Sequence, residues 1–208
     1  MKIQPIVEGH GEVKAVPVLL RRLGEEAGAY GIGINSPIRR KRSELTLESK
    51  LSRSIELARK TDVNAAILIL IDADDDCPRD LGPRLQNAAQ TVAREISCQV
   101  VLASREYEAW FLGAIESLRG VRGICDDACS HPEPERPRNA KGAIEERLRE
   151  GNSYAETTDQ AAMTARFDFG AAYRSCRSFR KLTKSFGELL SALGHPVEEW
   201  PPRRWLSA

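Results

Sequence analysis

The segment "AAILILID", residues 65–72, constrains the fold of this chain more than any other part of the sequence. An uninterrupted apolar run ends here at the carboxylate of Asp72. A continuous apolar run of this length is typical of a β-strand that is buried on both faces. The segment "CQVVLA", residues 98–103, predicts a second strand of the same kind. Such strands belong to parallel sheets that helices cover on both sides.

The first half of the sequence alternates between strand and helix patterns. The predicted elements are a strand at 2–7, a helix at 12–27, an extended basic segment at 34–43, a helix at 45–60, a strand at 65–72, a helix at 82–97, a strand at 98–103 and a helix at 106–118. This alternation predicts an α/β fold with a mostly parallel sheet flanked by helices. Pro5 favours an edge position or an irregular start for the first strand, and Pro17 favours a kink or a late start of the first helix.

The second half of the sequence has a different character. Residues 119–140 are rich in proline and charge, which predicts a loop insert. Residues 141–208 predict a helical extension packed on the core, with an apolar stripe in its main helix that is formed by Phe179, Leu182, Phe186, Leu189, Leu190 and Leu193. We therefore predict a core at 1–118, an insert at 119–140 and an extension at 141–208.

Length and composition limit the class of protein. The chain has 208 residues, of which 41% are apolar, enough for one moderate domain or a domain with an appended subdomain. Its net charge of +1 identifies no partner. There is no signal-peptide pattern and no apolar stretch long enough for a membrane helix. Together with five scattered cysteines, these features predict a cytoplasmic protein with reduced thiols and no membrane contact.

Acidic side chains follow two of the predicted strands. Glu8 follows the first strand in "IVEGHGE", and Asp72 and Asp74 end the strongest strand in "LILIDADDD". In α/β sheets, ligands bind outside the carboxyl ends of the strands. Residues i and i+2 of an extended segment share a face, so we expect Asp72 and Asp74 to point the same way. A divalent cation such as Mg²⁺ would remove their repulsion. The alternative is that these are ordinary loop acids or helix caps.

The turn after Glu8 has its own chemistry. Gly9 and Gly11 allow close backbone approach and positive φ. The helix that follows would direct its N-terminus, which favours anions such as phosphate, toward the same edge. Glu12 lies one helical turn after Glu8 and adds a further carboxylate.

These residues carry a resemblance. A strand that ends in Glu-Gly and a later strand that ends in Asp-x-Asp resemble the Toprim domain, a metal-dependent catalytic fold. "VEGHGE" is similar to the overcoming-lysogenization-defect (OLD) nuclease branch, whose form is roughly VEG-x-[ST]-E, although Gly11 replaces the usual hydroxyl residue. "REYEAWFL" (105–112) and "SFRKL" (178–182) resemble a bacterial family of stand-alone Toprim-like domains of unknown function, often found beside an ATPase gene.

The resemblance implies a Toprim-like Rossmannoid core and roles for several acids. Glu8 would be the Toprim glutamate, Asp72 and Asp74 the metal-binding pair, and Glu12 a ligand of a second metal. The implied cofactor is Mg²⁺ or Mn²⁺. Asp76 and Glu108 are further candidate ligands. For Asp76 the alternative is a solvated turn, and for Glu108 it is a helix-surface acid beside a core tryptophan.

Basic residues supply candidates for phosphate binding. Arg105 follows a buried strand and is expected at the active edge, where it would stabilise the transition state. The candidates for nucleic acid contact are Arg39, Arg40, Lys41, Arg42, Lys141, Arg177, Arg180 and Lys181. By the resemblance, Lys141 or Lys181 would be the catalytic-type lysine. The alternative for most of these residues, taken singly, is a solvated charged face.

The sequence is compatible with two functions. The first is a metal-dependent phosphoryl-transfer enzyme, a nuclease (hydrolase) that cleaves DNA or RNA, in bacterial defence with a partner ATPase. The second is a non-catalytic Toprim-like module that binds a partner ATPase or a nucleotide as an effector. The full Glu8, Asp72 and Asp74 set favours the enzyme. The small net charge and the missing hydroxyl at Gly11 favour the module.

Overall fold

The structure is a computed structural model that describes residues 1–207. Five strands form one sheet, in which every pair of neighbours is parallel. The strands are β1 (Lys2–Val7), β2 (Gly33–Ile34), β3 (Ile38–Arg39), β4 (Ala66–Asp72) and β5 (Cys98–Ala103). On one side β1 pairs with β2 and β3, on the other side it pairs with β4, and β4 pairs with β5. The predicted α/β class with a mostly parallel sheet is confirmed.

Helices cover the sheet and follow it along the chain. They are α1 (Glu12–Glu26), α2 (Arg42–Leu45), α3 (Glu48–Thr61), α4 (Pro78–Ala93), α5 (Ala109–Leu112), α6 (Ala140–Glu145), α7 (Glu156–Thr164), α8 (Phe169–Ser175) and α9 (Arg177–Ala192). The predicted helix at 106–118 is divided between α5 and a 3₁₀ turn at Ile115–Leu118. Among residues 1–207, no helix is both long and apolar enough to cross a membrane.

The apolar run of β4 is explained by burial on both faces of the sheet. Ile67, Ile69 and Ile71 pack with side chains of α3 and α4. Leu68 and Leu70 face the other way and pack in a second apolar layer with α1 and α9. Each of these side chains is at most 1% exposed, so each contributes about 1.5–3 kcal/mol of burial free energy.

The edge position predicted from Pro5 is wrong, because β1 lies inside the sheet between β3 and β4. Carbonyls of alternate residues, such as Ile3 and Val7, accept hydrogen bonds from the β2 and β3 side. Pro5 therefore faces that side, where the chain between β2 and β3 is not paired as a strand. The side chain of Gln4 connects β1 to this unpaired segment, because its Nε2 donates to the carbonyl of Ser36 at 2.9 Å. An inner strand tolerates a proline at this position, because no carbonyl of a neighbouring strand lies opposite the N–H group that proline lacks.

Neither a late start nor a break is found at Pro17. Helix α1 runs from Glu12 to Glu26 through Pro17, its sixth residue. Proline at position 17 removes the hydrogen bond to the Val13 carbonyl and crowds that carbonyl with its ring, yet the helix continues through it. The buried face of α1 continues on both sides of the proline with Val16, Leu19, Leu20 and Leu23.

The chain between the sheet region and the C-terminal helices is irregular apart from a 3₁₀ turn at Val121–Gly123. Ile124 is fully buried and forms an isolated antiparallel bridge with Leu148. One apolar layer joins the α1 side of the sheet to α8 and α9 and includes Phe167 and Phe179. These C-terminal elements are therefore placed against the sheet, and α6 and α7 reach its carboxyl edge.

Candidate functional site

Glu8 and Asp72 leave the sheet side by side, because β1 and β4 pair in parallel with Val7 opposite Leu70. Both line a pocket of about 320 Å³ at the carboxyl edge of the sheet, which we call the acidic pocket. Its other lining residues are Gly9, His10, Glu12, Arg39, Lys41, Arg42, Lys141, Glu156 and Gln160. The pocket therefore combines carboxylates from two strand ends with cations from three other segments.

Glu12 is 1% exposed and holds the turn that carries Glu8. Its Oε2 atom accepts hydrogen bonds from the backbone N–H of Glu8 at 2.9 Å and of Gly9 at 3.0 Å. Burial raises the pKa of Glu12 to about 8, although these two N–H donors lower it. The charges of Glu108 and Glu8 raise it further.

Asp72 and Glu8 are half-buried carboxylates with few partners. The Oδ1 atom of Asp72 accepts a hydrogen bond from the backbone N–H of Tyr107 at 2.9 Å. Burial raises the pKa of Asp72 well above its usual value, and the charges of Glu12, Glu108 and Glu8 add to the rise. Burial also raises the pKa of Glu8, whose Oε2 is buried with no hydrogen-bond partner among residues 1–207.

Glu108 is fully buried, so it is not a helix-surface acid. Its Oε1 accepts hydrogen bonds from the hydroxyl of Tyr154 at 2.7 Å and from Nε2 of Gln160 at 3.1 Å. Its Oε2 is buried without a partner in the described part of the chain. Burial raises the pKa of Glu108 to about 7. Since Gln160 lines the acidic pocket, Glu108 stands one side chain behind the pocket wall.

Asp74 and Asp76 are exposed and interact with Arg42. Strand β4 ends at Asp72, and Asp74 has a positive φ of 48°, so the argument from an extended strand does not apply to this pair. The Nε atom of Arg42 lies 3.1 Å from Asp74 Oδ2, and its Nη2 donates to the carbonyl of Ala73 at 3.0 Å. The same guanidinium also contacts Asp76 and the carbonyl of Asp72. Arg42 therefore contacts every residue of the acidic turn from Asp72 to Asp76 except Asp75.

Arg105 lies at the same edge but does not line the acidic pocket. It has a positive φ of 63°, and its Nη1 donates to the carbonyl of Asp74 at 2.9 Å and to Oδ1 of Asp75 at 2.7 Å. Its backbone carbonyl accepts a hydrogen bond from the N–H of Asp74. In this structure Arg105 stabilises the turn after β4.

The structure separates the two candidate lysines. Lys141 of α6 lines the acidic pocket, and its Nζ lies 3.0 Å from Oε2 of Glu156. Burial alone would lower the pKa of Lys141, but Glu108 and the bond to Glu156 raise it overall, so this lysine is charged. Lys181 and Arg177 line a different groove, between α4 and α9.

The remaining basic candidates divide in the same way. Arg39, Lys41 and Arg42 line the acidic pocket. Arg40 does not line it, and its Nη1 donates to the carbonyl of Arg39 at 3.0 Å. Arg180 lies outside it as well and donates to the carbonyls of Tyr173 and Arg174 on α8. Nucleic acid contact by Arg40, Arg177, Arg180 and Lys181 stays a prediction.

Two pocket residues of the C-terminal half, Glu156 and Gln160, are not predicted from the sequence, and neither is Tyr154, which binds Glu108 behind the pocket. The Oε1 atom of Glu156 accepts a hydrogen bond from the backbone N–H of Gly11 at 3.1 Å. The i, i+4 spacing of Glu156 and Gln160 on α7 places them on one helix face. That spacing was the available signal, but it does not distinguish a pocket wall from a solvated face.

Gly11 is explained by the close approach of α7. A Cβ atom at this position would lie 2.5 Å from the carbonyl oxygen of Glu156 and 2.5 Å from Oε1 of Gln160. The sequence suggested two reasons for glycine here, a positive φ and close backbone approach. Neither Gly9 nor Gly11 has a positive φ, so only close approach applies. The backbone N–H groups of Glu8, Gly9 and Gly11, in the turn before α1, are occupied by the carboxylates of Glu12 and Glu156.

The donor set fits a hard divalent cation in part. Its ligands would be carboxylate oxygens, and Glu8, whose Oε2 is buried without a partner, lines the same pocket as Asp72. Across residues 1–207, no three His, Cys, Asp or Glu side chains are close enough together to hold one ion. Mg²⁺ nevertheless takes only one or two carboxylates in many sites and completes its coordination with water and phosphate.

Fold and site together define an α/β protein with an acidic pocket at the carboxyl edge of a parallel sheet. Residues 7–186 match the family described as "Domain of unknown function (DUF4276)". The match covers most of the chain, so the chain belongs to this family.

Solved structures and curated proteins complete the comparison. The C-terminal region of the Xanthomonas campestris pv. campestris OLD protein is 13% identical with a TM-score of 0.48, and covers 92% of this chain and 95% of its own. The C-terminal region of the Burkholderia pseudomallei OLD protein is 17% identical with a TM-score of 0.48, and covers 92% of this chain and 98% of its own. No curated protein matches this chain.

Proposed function

We propose that this protein is a metal-dependent phosphoryl-transfer enzyme, a nuclease that cleaves DNA or RNA phosphodiesters with Mg²⁺ or Mn²⁺. One observation carries the proposal. The carboxylates of Glu8, Glu12, Asp72 and Glu108 lie at or directly behind one pocket, and burial raises the pKa of each of them. Such clustered carboxylates repel one another, and a divalent cation relieves that repulsion.

Asp72 and Glu8 are the residues that would hold the cation. Asp72 is fixed by the Tyr107 N–H through one oxygen only, and Glu8 has an oxygen without a partner. Glu12 is less suited, because one of its oxygens already accepts two backbone hydrogen bonds. When bound, the cation would lower the pKa of a water molecule and offset charge that develops on the phosphate. We assign Glu12 the role of positioning Glu8.

Cations of the chain would hold the phosphate. Lys141, Arg39 and Arg42 line the acidic pocket opposite its carboxylates. Positive groups aimed at the reacting phosphate stabilise the negative charge of the transition state. Lys141 is the strongest candidate, because it is half-buried and stays charged beside Glu156. We therefore assign the catalytic-type lysine to Lys141 rather than to Lys181.

Glu8 would act as the general acid or base that transfers a proton during cleavage. Burial raises the pKa of Glu8 in the metal-free protein; with the cation on one carboxylate oxygen, the other oxygen would exchange the proton. Its position at the end of β1, beside the end of β4, supports the Toprim-like assignment made from the motif. Nucleic acid as the substrate and an ATPase as a partner belong to the same proposal.

A specific observation favours the alternative, a non-catalytic module that binds a nucleotide or a partner ATPase as an effector. Arg42 pairs with Asp74 and contacts Asp76, so a guanidinium occupies the side of the acidic turn where a second cation would bind. A module of this kind would bind metal or nucleotide without cleaving a phosphodiester.

The test is a cleavage assay on single- and double-stranded DNA and RNA, in Mg²⁺, in Mn²⁺ and in EDTA, with and without an ATPase encoded nearby. The variants are Asp72→Asn and Glu8→Gln, and Glu95→Gln is the control because Glu95 is exposed at the opposite, amino end of β5. We expect each site variant to lose at least about 100-fold in rate, as expected for lost metal ligands. The control should cleave like the wild type.

Thermal melts of the same proteins distinguish variants that lose catalytic activity from variants that fail to fold. Asparagine can still accept the hydrogen bond from Tyr107, so Asp72→Asn should melt at the wild-type temperature or above it in EDTA. Undiminished cleavage by Asp72→Asn would remove the acidic pocket from the mechanism. A wild-type protein that binds metal but cleaves none of these substrates, even with the ATPase, would favour the binding module.

A further inference from the structure

Strand β5 is an edge strand with one open side. It pairs with β4 alone, and the carbonyls of Ser97 and Ala103 accept hydrogen bonds from the β4 side, both at 2.8 Å. N–H and C=O groups alternate sides along a strand. The backbone groups of Cys98, Val100 and Leu102 therefore point away from the sheet.

A single side chain covers the first part of this open edge. The amide of Gln86 on α4 donates to the carbonyl of Cys98 at 2.7 Å and accepts from the N–H of Val100 at 2.8 Å. The Gln86 amide thus replaces one peptide unit of a neighbouring strand. Beyond it, no hydrogen bond among residues 1–207 reaches the carbonyl of Val100 or the N–H of Leu102.

A groove of about 600 Å³ lies along this uncovered stretch, and we call it the β5 groove. Val100, Leu102 and Ser104 of the edge line it together with Gln86. The α4 wall contains Pro78, Gly82 and Pro83 together with the cation Arg79, whereas the α9 wall contains Arg177, Ser178 and Lys181. Its volume is within the range of protein ligand sites.

The charge of the β5 groove is positive. Arg79, Arg177 and Lys181 line it and are exposed. The one acid that lines it, Glu135, is already engaged, because its carboxylate accepts hydrogen bonds from the N–H of Arg177 at 2.9 Å and of Ser178 at 2.7 Å. An occupant with negative side chains would therefore be complementary to this groove.

We propose that the β5 groove binds an extended acidic peptide segment of a partner protein, which adds to the sheet as a strand beside β5. Side chains alternate between the two faces of a strand. Apolar side chains of the peptide would meet the α4 wall, and acidic side chains would meet Arg177 and Lys181 on the α9 wall. This site is separate from the acidic pocket, and the proposal does not depend on the nuclease activity.

The unpaired backbone groups of β5 favour a peptide over a nucleic acid as the ligand of the β5 groove. The carbonyl of Val100 needs a donor and the N–H of Leu102 needs an acceptor; a peptide backbone supplies both at the spacing of a strand, whereas a phosphodiester backbone has no N–H donors. The apolar residues Pro78, Gly82 and Pro83 on the α4 wall also suit alternating apolar side chains better than a phosphate backbone. Binding of a single-stranded oligonucleotide in the same groove is therefore an outcome that the test must distinguish.

The probe is a library of peptides of about eight residues, a common strand length, in which Val, Ile, Leu or Phe alternates with Asp or Glu. Binding to the full chain is measured by fluorescence polarisation at two salt concentrations. Amide hydrogen exchange, followed by NMR, reports on the backbone of Leu102 and Ser104. A formed ladder slows exchange of these amides, whereas a ligand that binds only side chains does not.

Two variants close the groove in different ways. At Gly82 a Cβ would meet only Leu102 Cδ1, at an ordinary 3.7 Å, so Gly82→Leu fills the groove without a clash at Cβ. Leucine is also a better helix former than glycine, so this variant should fold at least as stably. The double variant Arg177→Glu, Lys181→Glu reverses the charge. Arg53→Glu is its control, because Arg53 is exposed on α3, away from the groove.

We expect library peptides to bind, to bind more weakly at high salt and to slow exchange at Leu102. Gly82→Leu and the double variant should each weaken binding about tenfold or more, and Arg53→Glu should not. The proposal would be overturned if no library peptide binds, or if binding persists in Gly82→Leu. It would also be overturned by an oligonucleotide that displaces bound peptide, or by a dimer that protects Leu102 without peptide.

Discussion

Oε2 of Glu12 accepts a hydrogen bond from the backbone N–H of Glu8 at 2.9 Å, so the second glutamate of "EGHGE" holds the turn that presents the first. The same oxygen accepts a second hydrogen bond, from Gly9. This relationship explains why a carboxylate is buried at the first residue of α1, at a large cost in desolvation. It also gives the acidic pocket a pH dependence that can be measured.

The first prediction concerns stability against pH. Burial raises the pKa of folded Glu12 from 4.5 to about 8 and that of Glu108 to about 7, and it also raises the pKa of Asp72. For carboxyls with raised pKa values, the unfolded chain releases its protons first. Their contribution to stability is therefore complete below about pH 4.5 and is lost as the pH rises to about 8.

The melting temperature in EDTA should fall across this window, and Glu12→Gln should flatten the fall, because an amide does not titrate. Thermal melts at constant ionic strength provide the measurement, with Glu95→Gln as the control for an exposed glutamate. A melting temperature that rises between pH 5 and pH 8 in the wild type would contradict the burial of these carboxyls.

The second prediction concerns Lys141. Replacing it by glutamine removes one of the positive charges that line the acidic pocket and should lower phosphodiester cleavage on the order of 10²-fold, as for a lost transition-state donor. Stability should fall by no more than about 1 kcal/mol, because the Lys141–Glu156 pair is partly exposed. Lys60→Gln, at an exposed position of α3, is the matched control. Equal rates for Lys141→Gln and the control would exclude Lys141 from the chemistry.

The third prediction concerns Gly11. Gly11→Ser would restore the hydroxyl that the OLD-type motif carries, but its Cβ would lie 2.5 Å from the Glu156 carbonyl oxygen. Such overpacking should destabilise the protein by about 1–3 kcal/mol in denaturant melts. Gly31→Ser is the control, since a Cβ there meets nothing within 4 Å. If Gly11→Ser were as stable as Gly31→Ser, α7 would not approach the turn as closely as described.

The sequence predicts those parts of the fold and site that depend on neighbouring residues. The apolar run before Asp72 and the strand before Glu8 place both carboxylates at strand ends, and parallel pairing brings them to one edge. These features follow from a local pattern and one general rule about α/β sheets. The inner position of β1 does not follow, because it requires the interrupted strand opposite Pro5.

Local sequence patterns do not predict contacts between segments that lie far apart in the chain. Glu156 reaches the N–H of Gly11 across 145 residues, and nothing near either residue indicates the other. Asp74 leaves the extended conformation through a positive φ that a non-glycine residue rarely adopts. Its pairing with Arg42 therefore depends on the folded turn rather than on the spacing of the acids.

The central claim is that Glu8 and Asp72 bind a divalent cation for phosphoryl transfer. The most direct measurement is an anomalous difference map from wild-type crystals soaked in Mn²⁺, with Asp72→Asn crystals treated in the same way. The account predicts a manganese peak in the acidic pocket, bound by Asp72 and Glu8 and by ordered water, that disappears in the variant. A wild-type map at saturating Mn²⁺ without a peak between these two carboxylates would contradict it.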